Sequence, residues 1–369
     1  MRLPTRLAIA ALLLSAPGSA AAAGTLDIYV VDVEGGKAML FVSAEGESVL
    51  VDSGSPGGRD VARILEVFEV AGVQRLDYLL STHYHVDHIG GLLELSERVP
   101  IAHYVDHGPS VEEREQVPDF QQRYAAVREK ARHTVVAPGD RIPVAGLDWL
   151  VVASAGRFLR EPVGGSARPN PACAGAEPRE NDRDPENGQS VGSLVRFGRF
   201  SAIDLGDLLW NGELELMCPE NPVGSVDLLL VTHHGLAASN APPFVHGVRP
   251  RVALMQNGSH KGGAPEVFET LRASPGLEDV WIAHWSHAGL LEHNPAGVFI
   301  ANLSAPEATA AAIAAPPPAT GERRPRPGPE ALAHSPAHYL KVSAREDGSF
   351  TVANSRNGFM RSYPARSVD

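Results

Sequence analysis

The 369-residue sequence predicts a sandwich of the α/β or α+β class, and three observations lead there. Short β-branched runs recur along the chain, amphipathic helical stretches separate them, and no repeat period relates them. With 43% hydrophobic residues, the length suits one large domain or two modest ones.

Residues 25–33 (TLDIYVVDV) alternate and are rich in β-branched side chains, so they read as the first strand. Gly35-Gly36 turns the chain into a strand at 38–42, and Ser48–Val51 is a third. Arg59–Ala71 sets Val61, Ile64, Leu65 and Phe68 on one face of a helix. Residues 76–80 are a short apolar strand that runs into a histidine-rich segment, 112–132 read as a polar helix, and 148–153 as a strand. Residues 156–189, rich in Gly, Pro, Arg, Asn and Asp, read as a long surface loop. Strands at 191–197 and 200–205 flank the turn Gly198-Arg199, and 226–231 is a buried strand that again ends in histidines. Residues 251–255 read as strand and 265–273 as helix. The Ala/Pro-rich stretch 305–337 reads as a disordered or extended insertion. Asp347-Gly348, between runs at 339–344 and 349–355, signals a closing hairpin.

At the start, Arg2 and Arg6 precede an apolar run over 7–14, and Ala21-Ala22-Ala23 offers a cleavage pattern before Gly24. This is the pattern of a secretory signal, and it implies export to the periplasm or beyond, with cleavage near Ala23. The run is far shorter than the roughly 20 residues needed to span a bilayer, so no transmembrane anchoring is expected. The expected organisation is a signal at 1–23, a main domain at 24–304, the insertion at 305–337 and a hairpin at 338–369 packed on the domain. In an oxidising compartment Cys173 and Cys218 either pair or remain two separate buried thiols.

Against 32 Lys+Arg stand 44 Asp+Glu, a formal charge of −12. Removal of residues 1–23 takes away two arginines, which leaves −12 − 2 = −14. No global basic field exists for gripping a phosphate backbone, so nucleic acid is a disfavoured partner unless the arginines of 157–183 gather at a cleft. Two cysteines exclude a four-cysteine zinc module.

The stretch from Ser81 to Gly91 reads STHYHVDHIGG. In extended backbone His83, His85 and Asp87 share one side, and His88 joins them if the chain turns, for which Gly90-Gly91 supplies freedom. Burying three imidazoles with a carboxylate is costly unless a divalent cation compensates them. Imidazole and carboxylate suit zinc, and also manganese or iron. The competing reading is a solvated loop that happens to be histidine-rich.

His83-x-His85-x-Asp87-His88 resembles the signature of the metallo-β-lactamase superfamily. Val51-Asp52-Ser53-Gly54, Asp204-Leu205-Gly206-Asp207 and Thr232-His233-His234-Gly235 resemble its flanking motifs. Within the superfamily the order is most similar to the hydrolase-like domain of DNA-uptake competence proteins and their stand-alone relatives. Asp32-Val33-Glu34-Gly35-Gly36-Lys37 stands for their opening motif and Asn187 to Ser193-Leu194-Val195 for their middle one.

The resemblance implies an α+β fold, an αββα sandwich with a metal site at the sheet edge. It implies an exported hydrolase that uses a metal-activated hydroxide, with zinc as one or two ions and manganese as the alternative. His83 and His85 would hold one metal, and Asp87 and His88 the second. Asp207 would bridge, and His233 or His234 would complete the second site, with His233 favoured because the strand at 226–231 runs out there. Asp52 would orient a ligating histidine, and Asp87 and Asp207 would be the catalytic carboxylates. A further histidine of the lactamase-like members is missing, and Asn187-Gly188-Gln189-Ser190 stands in its region, which leaves the first site open, water-completed or weakly held. Phosphodiesters or related phosphoesters are the implied substrates. A small ester or lactone is the second reading, and a non-catalytic metal-binding envelope protein the third. His260-Lys261-Gly262-Gly263 reads as an anion-binding loop or a plain turn. His284, His287 and His293 read as surface or aromatic-packed residues, and Lys37 as a change of charge near the site.

Overall fold

Alternation in the strand Thr25–Val30 decides the layering: Leu26, Ile28 and Val30 enter a central core, whereas Tyr29 enters an outer one. The strand Phe200–Asp204 divides in the same way, with Phe200 and Ala202 in the central core and Ile203 in a third cluster on the opposite outer face. Strands buried on both faces need an apolar layer on each side. The chain supplies three cores and hence four layers, helices outside two sheets. These contacts come from a computed structural model that describes residues 24–112, 117–165, 168–303 and 336–367. The segment read as a signal, 1–23, and all but the last two residues of the Ala/Pro-rich stretch lie outside the described residues.

The first sheet runs in the order Met360–Tyr363, Phe350–Asn354, Leu340–Arg345, Thr25–Val30, Met39–Val42, Ser48–Val51, Tyr78–Leu80, His103–Asp106, Arg132–Val135. Its pairing is antiparallel up to Ser48–Val51 and parallel beyond. The second sheet runs Ile300–Asn302, Asp279–His284, Val252–Met255, Leu228–Leu230, Phe200–Asp204, Gly192–Phe197, Asp148–Ser154, Arg141–Ile142. Arg59–Ala71 covers the first sheet through Val61, Ile64, Val67 and Phe68. Pro242–Val248 and Pro265–Arg272 cover the second through Phe244, Val245, Phe268 and Leu271. Each such side chain contributes about 1.5–3 kcal/mol by leaving water.

Several sequence expectations change. The polar helix expected over 112–132 is shorter, Val117–Arg128, and is followed by the exposed edge strand Arg132–Val135, parallel to His103–Asp106. The terminal hairpin carries a third strand, Met360–Tyr363, and joins the first sheet through Leu340–Arg345 beside Thr25–Val30. The loop at 156–189 is structured. Arg168–Pro169 pairs with Glu220–Asn221, and a Cys173–Cys218 disulfide ties the loop to the end of helix Trp210–Met217. Among the described residues no helix is long and apolar enough to cross a membrane.

Candidate metal centre

The strand Tyr78–Leu80 stops short of the histidines, and a single helical turn, Val86–Ile89, begins just after His85. Asp87 and His88 therefore project from a helix, and strand alternation does not govern Asp87. Gly90 and Gly91 have ordinary right-handed backbone, φ −61° and −82°. Closeness rather than conformational freedom demands glycine there. A Cβ on Gly90 would lie 2.3 Å from Pro56 Cδ, and one on Gly91 would lie 2.3 Å from Ser53 O. The third motif is bent sharply, with His233 at φ 54° and His234 at φ 55°, and Asp52 stands at φ 60°. Left-handed non-glycine residues cost about 1–3 kcal/mol each and gather where function requires them.

Four donors converge. His88 Nε2 lies 3.2 Å from Asp207 Oδ2 and 3.5 Å from Asp87 Oδ2. His234 Nε2 lies 3.3 Å from each of those oxygens and 3.2 Å from His88 Nε2. A cation bound at about 2.0–2.1 Å in a tetrahedron has donor–donor edges of about 3.3 Å. The five distances match that figure, so the donor set fits a tetrahedral ion.

Each histidine is pinned through its other nitrogen. His88 Nδ1 bonds Asp52 Oδ2 at 2.8 Å, and His234 Nδ1 bonds the Gln256 carbonyl at 3.1 Å. Asp52 also accepts from the Thr82 amide at 2.8 Å and the Thr82 hydroxyl at 2.7 Å. With its proton given to Asp52, the Thr82 hydroxyl accepts from His83 Nδ1 at 3.1 Å. These bonds engage each Nδ1 and leave Nε2 as the nitrogen available to a cation, the usual arrangement around a metal. Among the described residues two buried atoms there have no hydrogen-bond partner, His83 Nε2 and Asp207 Oδ1. Both are donor atoms that a cation satisfies.

The electrostatics agree. Burial disfavours charge on His88, yet Asp207, Asp52 and Asp87 outweigh it and hold the imidazole well above its ordinary value. Burial likewise opposes ionisation of Asp87 and Asp207, but the surrounding histidines keep both well below the usual carboxylate range. Lys261 pairs with Asp87, which puts the loop at 260–263 against the cluster. Lys37 pairs instead with Asp204, and its amide bonds the Asp87 carbonyl at 3.0 Å.

The other predicted residues are placed differently. His234, not the favoured His233, belongs to the four-donor group. His233 Nε2 lies 3.5 Å from Asp207 Oδ2, and its Nδ1 bonds Ser239 Oγ at 3.1 Å. His83 Nε2 stands 4.0 Å from Asp207 Oδ2. His85 turns away toward two carboxylates, Glu112 at 2.9 Å and Asp184 at 3.4 Å. Behind them Glu186, fully buried, accepts from the Tyr84 amide at 3.0 Å, His107 Nε2 at 2.9 Å and the Val111 amide at 2.9 Å. Glu112, Asp184, Glu186 and Gln256 carry no motif and were not singled out in the sequence. His284 is not on the surface: it is buried between Asp32 at 2.6 Å and Glu34 at 3.0 Å. The cluster opens on a cleft of about 320 Å³ whose lining includes His85, Asp87, Arg183, Asp184, Asn187, Asp207, His233 and Lys261.

A model of the metallo-beta-lactamase superfamily matches residues 31–165. The chain is 33% identical over 84 residues to a hydroxyacylglutathione hydrolase of Erwinia tasmaniensis, covering 22% of this chain and 26% of that protein. A hydroxyacylglutathione hydrolase of Klebsiella pneumoniae is 29% identical over 114 residues, 31% of this chain and 36% of that one. The chain thus spans about a quarter to a third of the curated relatives it matches. The metallo-beta-lactamase fold protein YhfI from Bacillus subtilis superposes on 70% of this chain and 96% of its own, at 15% identity and TM-score 0.43. The chain has the metallo-β-lactamase fold, and over residues 31–165 it is similar to the metallo-beta-lactamase superfamily.

Proposed function

We propose that the protein is an exported metal-dependent hydrolase acting on phosphodiesters or related phosphoesters. The observation that carries the reading is the four-donor group Asp87, His88, Asp207 and His234, of which Asp87 and Asp207 line a cleft. When bound, a divalent cation there supplies Lewis acidity and a hydrolytic nucleophile at neutral pH. Lys261 and Arg183 line the same cleft and offer cationic partners to a phosphoester anion. Export is supported by the signal-like N-terminus and by the disulfide, which persists in an oxidising compartment.

The chain's own groups handle the proton. Ser239 Oγ gives its hydrogen to the Leu208 carbonyl at 2.8 Å, so it accepts from His233 Nδ1. Nε2 is then the basic nitrogen of His233. Burial is the main cause that lowers this imidazole to about 4, so it is neutral near pH 7 and keeps its Nε2 lone pair at the cleft. Asp87 and Asp207 stay ionised and orient what lies between them.

A small-ester or thioester hydrolase is the second reading, favoured by the two relatives' being hydroxyacylglutathione hydrolases and by Asp182 and Asp184, which line the cleft and repel polyanions. Hydrolysis of bis-p-nitrophenyl phosphate, a lactone, a glutathione thioester and nitrocefin, with zinc or manganese, separates the readings. Preferential phosphodiester cleavage is expected. Turnover of the thioester or lactone alone would replace the phosphoester reading.

A further inference from the structure

Beside the four-donor group lies a second convergence, in which two carboxylates from outside the quoted motifs meet a histidine of the signature. His85 Nε2, Glu112 Oε1 and Asp184 Oδ1 come together, with His85 to Glu112 at 2.9 Å and His85 to Asp184 at 3.4 Å. Carboxylates around one imidazole form a plain ion pair as readily as a metal site, so the neighbours decide. His83 Nε2 is fully buried with no hydrogen-bond partner, and its ring centroid is 4.7 Å from that of His85. Asn187 Oδ1 is also buried and unpartnered, and Asn187 lines the cleft together with His85, Asp184 and Asp207. Asp207 Oδ1 lacks a partner on the other side. Three buried donor atoms without partners among the described residues thus lie around His85 and its cleft, and buried acceptors left unpaired are costly.

We infer that His85, Asp184 and Glu112 form a second divalent-cation site, with His83 beside it, in which carboxylates supply what the absent histidine would have supplied. Glu186 is the positioning residue. Its carboxylate ties together the segment of His85 through the Tyr84 amide, the segment of Glu112 through Ser110 and Val111, and its own turn, which carries Asp184. Asp184 accepts the amides of Glu186 at 3.2 Å and Asn187 at 3.1 Å, so it is held in place before any ion arrives. The inference deepens the proposed function, since it assigns the second cation of the same cleft.

The test is zinc stoichiometry and affinity of the full mature chain, by equilibrium dialysis with elemental analysis and by calorimetric titration. Wild type, Asp184→Asn, Glu112→Gln, Asp184→His and Asp207→Asn are compared. Asparagine at 184 keeps an oxygen for the two amides, and circular dichroism with thermal melting checks the fold of each variant. Two ions per wild-type chain are expected, one in Asp184→Asn or Glu112→Gln with the tighter site unchanged, and two again in Asp184→His. One ion in wild type, lost in Asp207→Asn and untouched by Asp184→Asn, would overturn the second site and leave the hydrolase reading standing. No ion in wild type would overturn both.

Discussion

His88 Nδ1 lies 2.8 Å from Asp52 Oδ2, and the strand Ser48–Val51 delivers Asp52 to that position in a left-handed conformation. One carboxylate therefore sets the tautomer of His88 and anchors Thr82, which in turn holds His83. Asp52→Ala should weaken zinc binding roughly 10–100-fold without removing any donor. It should also lower stability by about 1–3 kcal/mol, because donors of Thr82 and His88 lose their buried acceptor. Zinc titration and urea unfolding check both halves, and unchanged affinity would detach Asp52 from the centre.

The two adjacent histidines should separate cleanly. His234→Ala removes one corner of the four-donor group, so metal content falls with activity. His233→Ala leaves that group complete and should lower kcat by roughly 10²–10⁴-fold, the usual contribution of a positioned proton acceptor. Elemental analysis beside steady-state kinetics distinguishes them, and equal metal loss in both variants would make His233 a ligand.

Metal uptake should release protons. His88 is held protonated among Asp207, Asp52 and Asp87, well above the ordinary imidazole value, and a cation must displace that proton. Affinity should therefore rise with pH across the neutral range and fall as the medium becomes acidic. Calorimetry in two buffers of different ionisation enthalpy reads the protons directly, and none released would contradict the cluster.

Glu213 gives a separate pH signature in the fold. Burial raises its carboxyl to about 8, against the amides of Ala241 and Asn240, which lower it. With the folded value above the unfolded one, the native state holds the extra proton between roughly pH 4.5 and 8. Stability is thus greatest on the acidic side of that window and is lost as pH rises, by at most about 1.4 kcal/mol per pH unit. Glu213→Gln should flatten this slope in urea unfolding at several pH values.

The centre was half legible in the sequence. His83, His85, Asp87 and His88 announce themselves because four ligand-type side chains crowd one short segment, and Asp207 and His234 sit in motifs of their own. Glu112 and Asp184 escape notice because each stands in a polar stretch where an acid is ordinary. Only tertiary contact with His85 distinguishes them. His234 rather than His233 joins the group of four donors for a local reason: two successive left-handed residues turn the second imidazole toward it. In the fold, Thr25–Val30 was readable from its alternation, whereas Ile300–Asn302 and Arg132–Val135 are short and gain their strand character only from their neighbours. Gly90 and Gly91 read as backbone freedom for a turn, whereas crowding by Pro56 and Ser53 is what requires glycine there.

The most direct measurement is elemental analysis of the purified protein beside its Asp207→Ala variant, with phosphodiesterase activity measured on the same samples. Asp207 reaches His88, His234 and His233, so its loss should strip bound metal and abolish turnover while circular dichroism and the melting transition persist. A variant that keeps full activity and full metal would show that these side chains do not share a cation.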